Sequence, residues 1–104
     1  MSSSIRMTYS TAMVLQALDT GYRYGFDIAS VTGLRRGTVY PILRRLEEAD
    51  LVRAQWERVQ ISRDEGRPAR RYYSLSPEAA DLVALSRSRF PAVTDVLPLP
   101  VEER

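Results

Sequence analysis

The sequence predicts a mainly α domain with one small β-hairpin. Three observations predict it. Apolar residues recur at helical spacing in three successive segments before residue 50. Two stretches with β-branched and aromatic content, residues 51–61 and 70–75, flank a polar loop carrying Gly66 and Pro68. Ser76-Pro77-Glu78 then opens another helix, with a capping serine, a proline at the first position and an acid behind it.

The elements follow in order. Residues 1–7 read as a flexible N-terminus. A first helix is expected from Thr8 to Asp19, where Met13, Val14, Ala17 and Leu18 share a face and Gly21 is the stop signal. Tyr22-Arg23-Tyr24-Gly25 reads as a turn. A short second helix, Gly25 to Val31, offers Phe26, Ile28, Ala29 and Val31 to a core, and Gly33 suits a left-handed cap. The third helix runs from Arg36 or Thr38 to Ala49, with Val39, Ile42, Leu43 and Leu46 as its apolar stripe. Pro41 is placed in its first turn, where a missing N–H is tolerated. Thr38, Pro41 and Arg45 point away from the stripe, and Tyr40 and Arg44 flank it.

Residues 51–61 read as a strand, 62–69 as a loop and 70–75 as the returning strand. Trp56, Tyr72 and Tyr73 cluster in this hairpin. Trp56 is expected to pack into the core, the alternative being the wall of a ligand pocket at a dimer interface. The fourth helix runs from Ser76 to Phe90, with Ala79, Leu82, Val83, Ser86 and Phe90 as its stripe. Pro91 is read as its end, and residues 91–104 as an extended tail.

The second and third helices, joined across Thr32 to Gly37, make a helix-turn-helix. An arginine-tipped hairpin after such a pair is a wing. The expected architecture is therefore a winged helix-turn-helix over residues 8–75 with one C-terminal helix, residues 76–90.

Composition narrows the function. A chain of 104 residues suits one domain. It has neither cysteine nor histidine, which removes disulfides, thiolate metal sites and the commonest general base. Paired carboxylates and phosphate-cradling glycines at useful spacing are missing too, so an enzyme is not expected, and neither is a cofactor. Short apolar runs and an N-terminus without a secretory pattern point to a cytoplasmic protein that does not span a membrane. All fifteen basic residues are arginine. Residues 1–75 hold twelve of them against eight acids, whereas residues 76–104 hold three against five.

That asymmetry falls where a helix-turn-helix meets DNA. The second helix of such a motif enters the major groove led by its N-terminal residues. Here these are Arg35, Arg36, Thr38 and Tyr40, followed by Arg44 and Arg45. Arginine forks match guanine and phosphate. Arg63, Arg67, Arg70 and Arg71 lie on or beside the wing tip, placed for the DNA backbone or minor groove.

Tyr24-Gly25-Phe26-Asp27-Ile28, the run Gly37-Thr38-Val39-Tyr40-Pro41-Ile42-Leu43-Arg44-Arg45-Leu46-Glu47-Glu48-Ala49-Asp50-Leu51-Val52 and the stretch Gly66-Arg67-Pro68-Ala69-Arg70-Arg71-Tyr72-Tyr73-Ser74-Leu75-Ser76 closely resemble the PadR family of bacterial transcriptional regulators. The resemblance covers residues 9–90 and looks like the compact subgroup with a short C-terminal region. It implies a homodimeric DNA binder and repressor, with Thr38, Tyr40 and Arg45 on the DNA-facing helix and the wing arginines on the backbone. It also implies release by a small aromatic effector. The dimer contact would then fall to Leu82, Val83, Ser86 and Phe90 of the fourth helix with Met13 of the first. A twofold dimer calls for a pseudo-palindromic double-stranded operator with half-sites spaced by roughly 10 bp or a multiple. The rival reading is a winged-helix protein-interaction module without specific DNA binding.

Overall fold

In the computed structural model, which describes residues 5–100, three helices come first: α1 (Tyr9–Thr20), α2 (Gly25–Thr32) and α3 (Arg36–Glu48). Thr8 caps α1, its hydroxyl accepting from the Thr11 N–H at 3.1 Å. Gly21 closes the helix at φ 123°, and its N–H reaches back to Ala17 and Leu18. Gly33 caps α2 in the left-handed region at φ 76°, as its position in the sequence suggests. Pro41 is the sixth residue of α3, one turn further in than expected, so the Gly37 carbonyl loses its partner and faces solvent.

The hairpin departs further from the sequence reading. Strands β1 (Val52–Trp56) and β2 (Arg71–Leu75) pair antiparallel from Val52↔Leu75 to Trp56↔Arg71. Where the strand was expected to run on to Ile61, the chain forms a short helix instead, α4 (Val59–Asp64). Gln60 and Asp64 meet across one helical turn at 2.8 Å, a pairing that a strand would set on one face but much too far apart. The Tyr22–Gly25 turn is also more than a turn. Tyr24 bridges Tyr72, and the Tyr73 N–H donates to the Arg23 carbonyl at 2.8 Å, so this segment extends the sheet beside β2.

After β2 a 3₁₀ turn (Pro77–Ala79) leads into α5 (Ala80–Arg89), and α6 (Pro91–Val96) follows. Ser76 stands at the start of this turn without capping it. Its hydroxyl donates instead to the Asp50 carbonyl at 2.8 Å, tying the end of the hairpin to its beginning. Pro91 does not lead into an extended tail. It is the first residue of α6, where its fixed φ and absent N–H suit a helix start.

The core lies where α1, α2 and α3 meet the hairpin. Leu15, Ile28, Leu43 and Leu46 are its largest fully buried side chains, each contributing about 1.5–3 kcal/mol by leaving water. The expected α3 stripe of Val39, Ile42, Leu43 and Leu46 is buried throughout. On the other side α1 packs on α5 and α6. Gln16, fully buried in α1, donates from Nε2 to the Phe90 carbonyl at 3.3 Å and accepts from the Thr94 hydroxyl, which fixes the junction of the two C-terminal helices.

Candidate nucleic-acid interface

Burying Val39, Ile42, Leu43 and Leu46 turns the opposite face of α3 outward. Tyr40, Pro41, Arg44 and Arg45 are exposed there, and Thr38 is half-buried near the helix start. No side chain caps the N-terminus of α3, so its first N–H groups and positive dipole end point outward beside the exposed Arg35 and Arg36. The Arg36 guanidinium lies 5.4 Å from the Phe26 ring centroid of α2.

Alternation along the hairpin sets Val52, Ala54 and Trp56 on one face with Leu75, Tyr73 and Arg71 opposite them. This face looks toward α3, because Arg71 Nη2 bonds Glu47 Oε2 of α3 at 3.0 Å. Between helix and hairpin runs an open groove of about 490 Å³, lined by Tyr40, Pro41, Arg44, Arg45, Glu47, Arg71 and Tyr73. The groove brings four of the expected site residues together: Tyr40, Arg44, Arg45 and Arg71. Tyr73 is buried at its floor, and burial pushes its phenol above the usual tyrosine range. Trp56 corrects the sequence reading. It sits beyond the end of the packed face at 64% exposure, with Arg71 5.5 Å from its ring centroid, instead of in the core.

Arg63, Arg67 and Arg70 lie on the wing itself, outside the groove. Arg63 is exposed in the last turn of α4. Arg67 clamps Glu57 through both terminal guanidinium nitrogens, Nη1 and Nη2, at 2.6 and 2.8 Å. That fork holds the Glu57 carboxyl down at about 2. Arg70 covers the Tyr24 ring at 4.7 Å. Glu57 is a residue the sequence reading missed. Its partner is ten positions away, and no local pattern marks the pair.

Three of the five residues expected at a dimer contact face inward. Met13, Val83 and Ser86 are buried within the chain, where α1 meets α5, and therefore offer no surface to a second copy. Leu82 and Phe90 stay half-buried, and Phe90 packs edge-on against Tyr9 at 5.6 Å. The large exposed apolar residues of α1 and the C-terminal segment are Tyr9, Leu85, Val96 and Leu99. No helix among the described residues is long and apolar enough to cross a membrane.

Known structures share this arrangement of helices and hairpin. A PadR family transcription regulator from hypervirulent Clostridium difficile R20291 matches at TM-score 0.67 and 23% identity, over 86% of this chain and 94% of that one. A PadR-like transcription factor from Bacteroides fragilis matches at 0.59 and 24%, over 82% of each chain. A single-residue variant of Lactococcus lactis ZitR matches at 0.60 and 19%, over 86% of this chain and 54% of that one. At these identities the likeness is one of fold. No curated protein matches the chain. The family is shown by sequence: the profile of the transcriptional regulator PadR-like family matches residues 14–81, well over half the chain. With the outward arginine face of α3 and the hairpin beside it, that match places this chain in the PadR-like family of DNA-binding transcriptional regulators.

Proposed function

We propose that the chain acts as a homodimeric repressor that occupies a pseudo-palindromic operator in the cytoplasm. The observation that carries this reading is the groove face of α3, where Tyr40, Arg44 and Arg45 stand exposed beside Arg71 of the hairpin. Arg45 and Thr38 read bases, and Arg35, Arg36 and the wing hold phosphates. Leu85, Val96 and Leu99 supply the apolar surface for the second copy. A planar aromatic effector seated between Tyr40 and Arg71 would compete directly with DNA for the same groove.

Selection of bound duplexes from a random pool tests this reading. The expected result is an enriched inverted repeat with half-sites roughly one helical turn apart, or a multiple. Binding without sequence enrichment would refute the sequence-specific role, and enrichment of a single unrepeated site would refute the twofold dimer. Repeating the selected-site binding with planar aromatic compounds tests effector release. A panel that never loosens binding removes that part.

A further inference from the structure

Between residues 57 and 71 lie five arginines and three acids. The structure divides the arginines into two kinds. Arg67 spends four of its five N–H donors inside the wing. Nη1 reaches Glu57 Oε1 at 2.6 Å and the Pro68 carbonyl at 3.2 Å, Nη2 reaches Glu57 Oε2 at 2.8 Å, and Nε reaches Glu65 Oε1 at 2.8 Å. Arg70 lies over Tyr24 with Nη2 3.9 Å from Glu65. Arg71 is bonded to Glu47. Arg58 and Arg63 are exposed and pair with no carboxylate among the described residues.

These two stand on α4, Arg58 at its N-cap and Arg63 in its last turn. The helix buries only Ser62, so its own packing anchors it weakly. Its ends do the anchoring. Glu57, directly before Arg58, is buried and also accepts from the Arg70 N–H at 3.2 Å. The Arg67 N–H returns to the Ser62 carbonyl at 3.0 Å. The Arg67–Glu57 fork thus closes the wing around α4. The acids on the tip are engaged as well: Asp64 accepts from Gln60, and Glu65 from Arg67.

We propose that α4 is the phosphate-binding element of the wing, with Arg58 and Arg63 as its contacts and Arg67 as a positioning residue that acts through Glu57. This rests on the duplex-binding reading above. It moves the wing's backbone contact from Arg67 to a residue, Arg58, that motif and spacing do not single out.

The salt dependence of binding to a mixed-sequence duplex tests it, since phosphate contacts appear in non-specific binding. Losing Arg58 and Arg63 together to alanine lowers the slope of log affinity against log salt by about 1.8 for each bound protomer, at about 0.9 per phosphate. Both side chains are exposed, so the variant keeps its fold, and circular dichroism checks that. Arg67→Gln weakens binding in the wild-type background and changes the slope no further in the double-alanine background. Glu57→Gln gives the sharper sign. A phosphate-binding Arg67 would bind tighter once released from Glu57, whereas a positioning Arg67 requires weaker binding.

An unchanged slope in the double-alanine variant overturns the proposal. So does an additional slope loss from Arg67→Gln in that background, or tighter binding by Glu57→Gln. Wild-type protein that shows no salt-dependent duplex binding overturns the DNA-binding reading itself, a result distinct from those three.

Discussion

The backbone of Gly25, at the start of α2, lies directly under the ring of Tyr40 on α3: a Cβ at position 25 would sit 2.5 Å from the Cε1 and Cζ atoms of that ring. Tyr40 is 40% exposed, so one side of the ring rests on α2 while the other borders the groove. The contact sets how closely the two helices of the motif approach. Gly25→Ala must push the ring aside. It should cost about 1 kcal/mol, the lower end of overpacking penalties because a ring tip can swing away. In a Tyr40→Ala background the clash is gone, and the smaller conformational freedom of the unfolded chain should make the same change stabilising by about 0.4–1 kcal/mol. Chemical denaturation of the four proteins measures this. Equal effects in both backgrounds would mean that the contact carries no energy.

Glu57 makes the wing sensitive to acid. Its carboxyl titrates at about 2 in the folded protein against a usual 4.5, chiefly because the Arg67 side chain hydrogen-bonds the ionised form. A folded value below the unfolded one means that ionisation favours folding. The stabilisation is therefore complete above about pH 4.5 and is lost as pH falls from there through about 2. Trp56, the single tryptophan, is the neighbouring residue and reports on this end of the hairpin. Its fluorescence should change over that acid range in wild-type protein. In Glu57→Gln the acid transition should vanish from this probe. A transition that persists in the variant would assign it to other carboxylates.

What could be read from the sequence is what neighbouring residues decide. The α3 stripe and the Gly21 and Gly33 caps depend on spacing within one helix or on one backbone conformation. The misread parts depend on distant partners. Val59 and Ile61 alternate as in a strand, but the Glu57–Arg67 fork, ten residues apart, closes the hairpin before them and leaves them helical. Trp56 follows the alternation of β1 onto the face that looks toward α3, yet it lies at the end of the pairing and stays exposed. The α5 stripe is covered only in part by the chain itself: Val83 and Ser86 are buried against α1, whereas Leu82 and Phe90 stay half-buried. Pro91 carried a usable signal, since the helix-start rule that fits Pro77 fits it equally well.

Gln16 should hold the C-terminal helices in place. It is fully buried, and both ends of its amide are engaged at the junction of α5 and α6. Gln16→Leu keeps most of the volume but removes both partners. The Phe90 carbonyl keeps the Val93 N–H at 3.2 Å, so the cost is that of the two lost hydrogen bonds, about 0.5–1.5 kcal/mol each. The loss should be local at first, with faster amide exchange in Val93–Leu97 and less change in the α2–α3 pair. Exchange that rises equally across the chain, or not at all, would rule out this anchoring role.

Arg45 and Arg35 should separate base reading from backbone contact on one helix. Both are exposed, but Arg35 precedes α3, beside its uncapped N-terminus, while Arg45 projects from the outward face nine residues into α3 from Arg36 and lines the groove. If Arg45 forks onto a base edge, Arg45→Ala weakens the selected site by about 1–3 kcal/mol and relaxes preference at one position of each half-site. Its effect on a mixed-sequence duplex should be small. Arg35→Ala should weaken selected and mixed duplexes alike and reduce the salt slope by about 1 per bound protomer. Gel shifts on both duplexes across a salt series give the comparison. If the two variants lose affinity for both duplexes in the same proportion, Arg45 contacts phosphate, and the base reading must lie nearer the start of α3, at Thr38 or Tyr40.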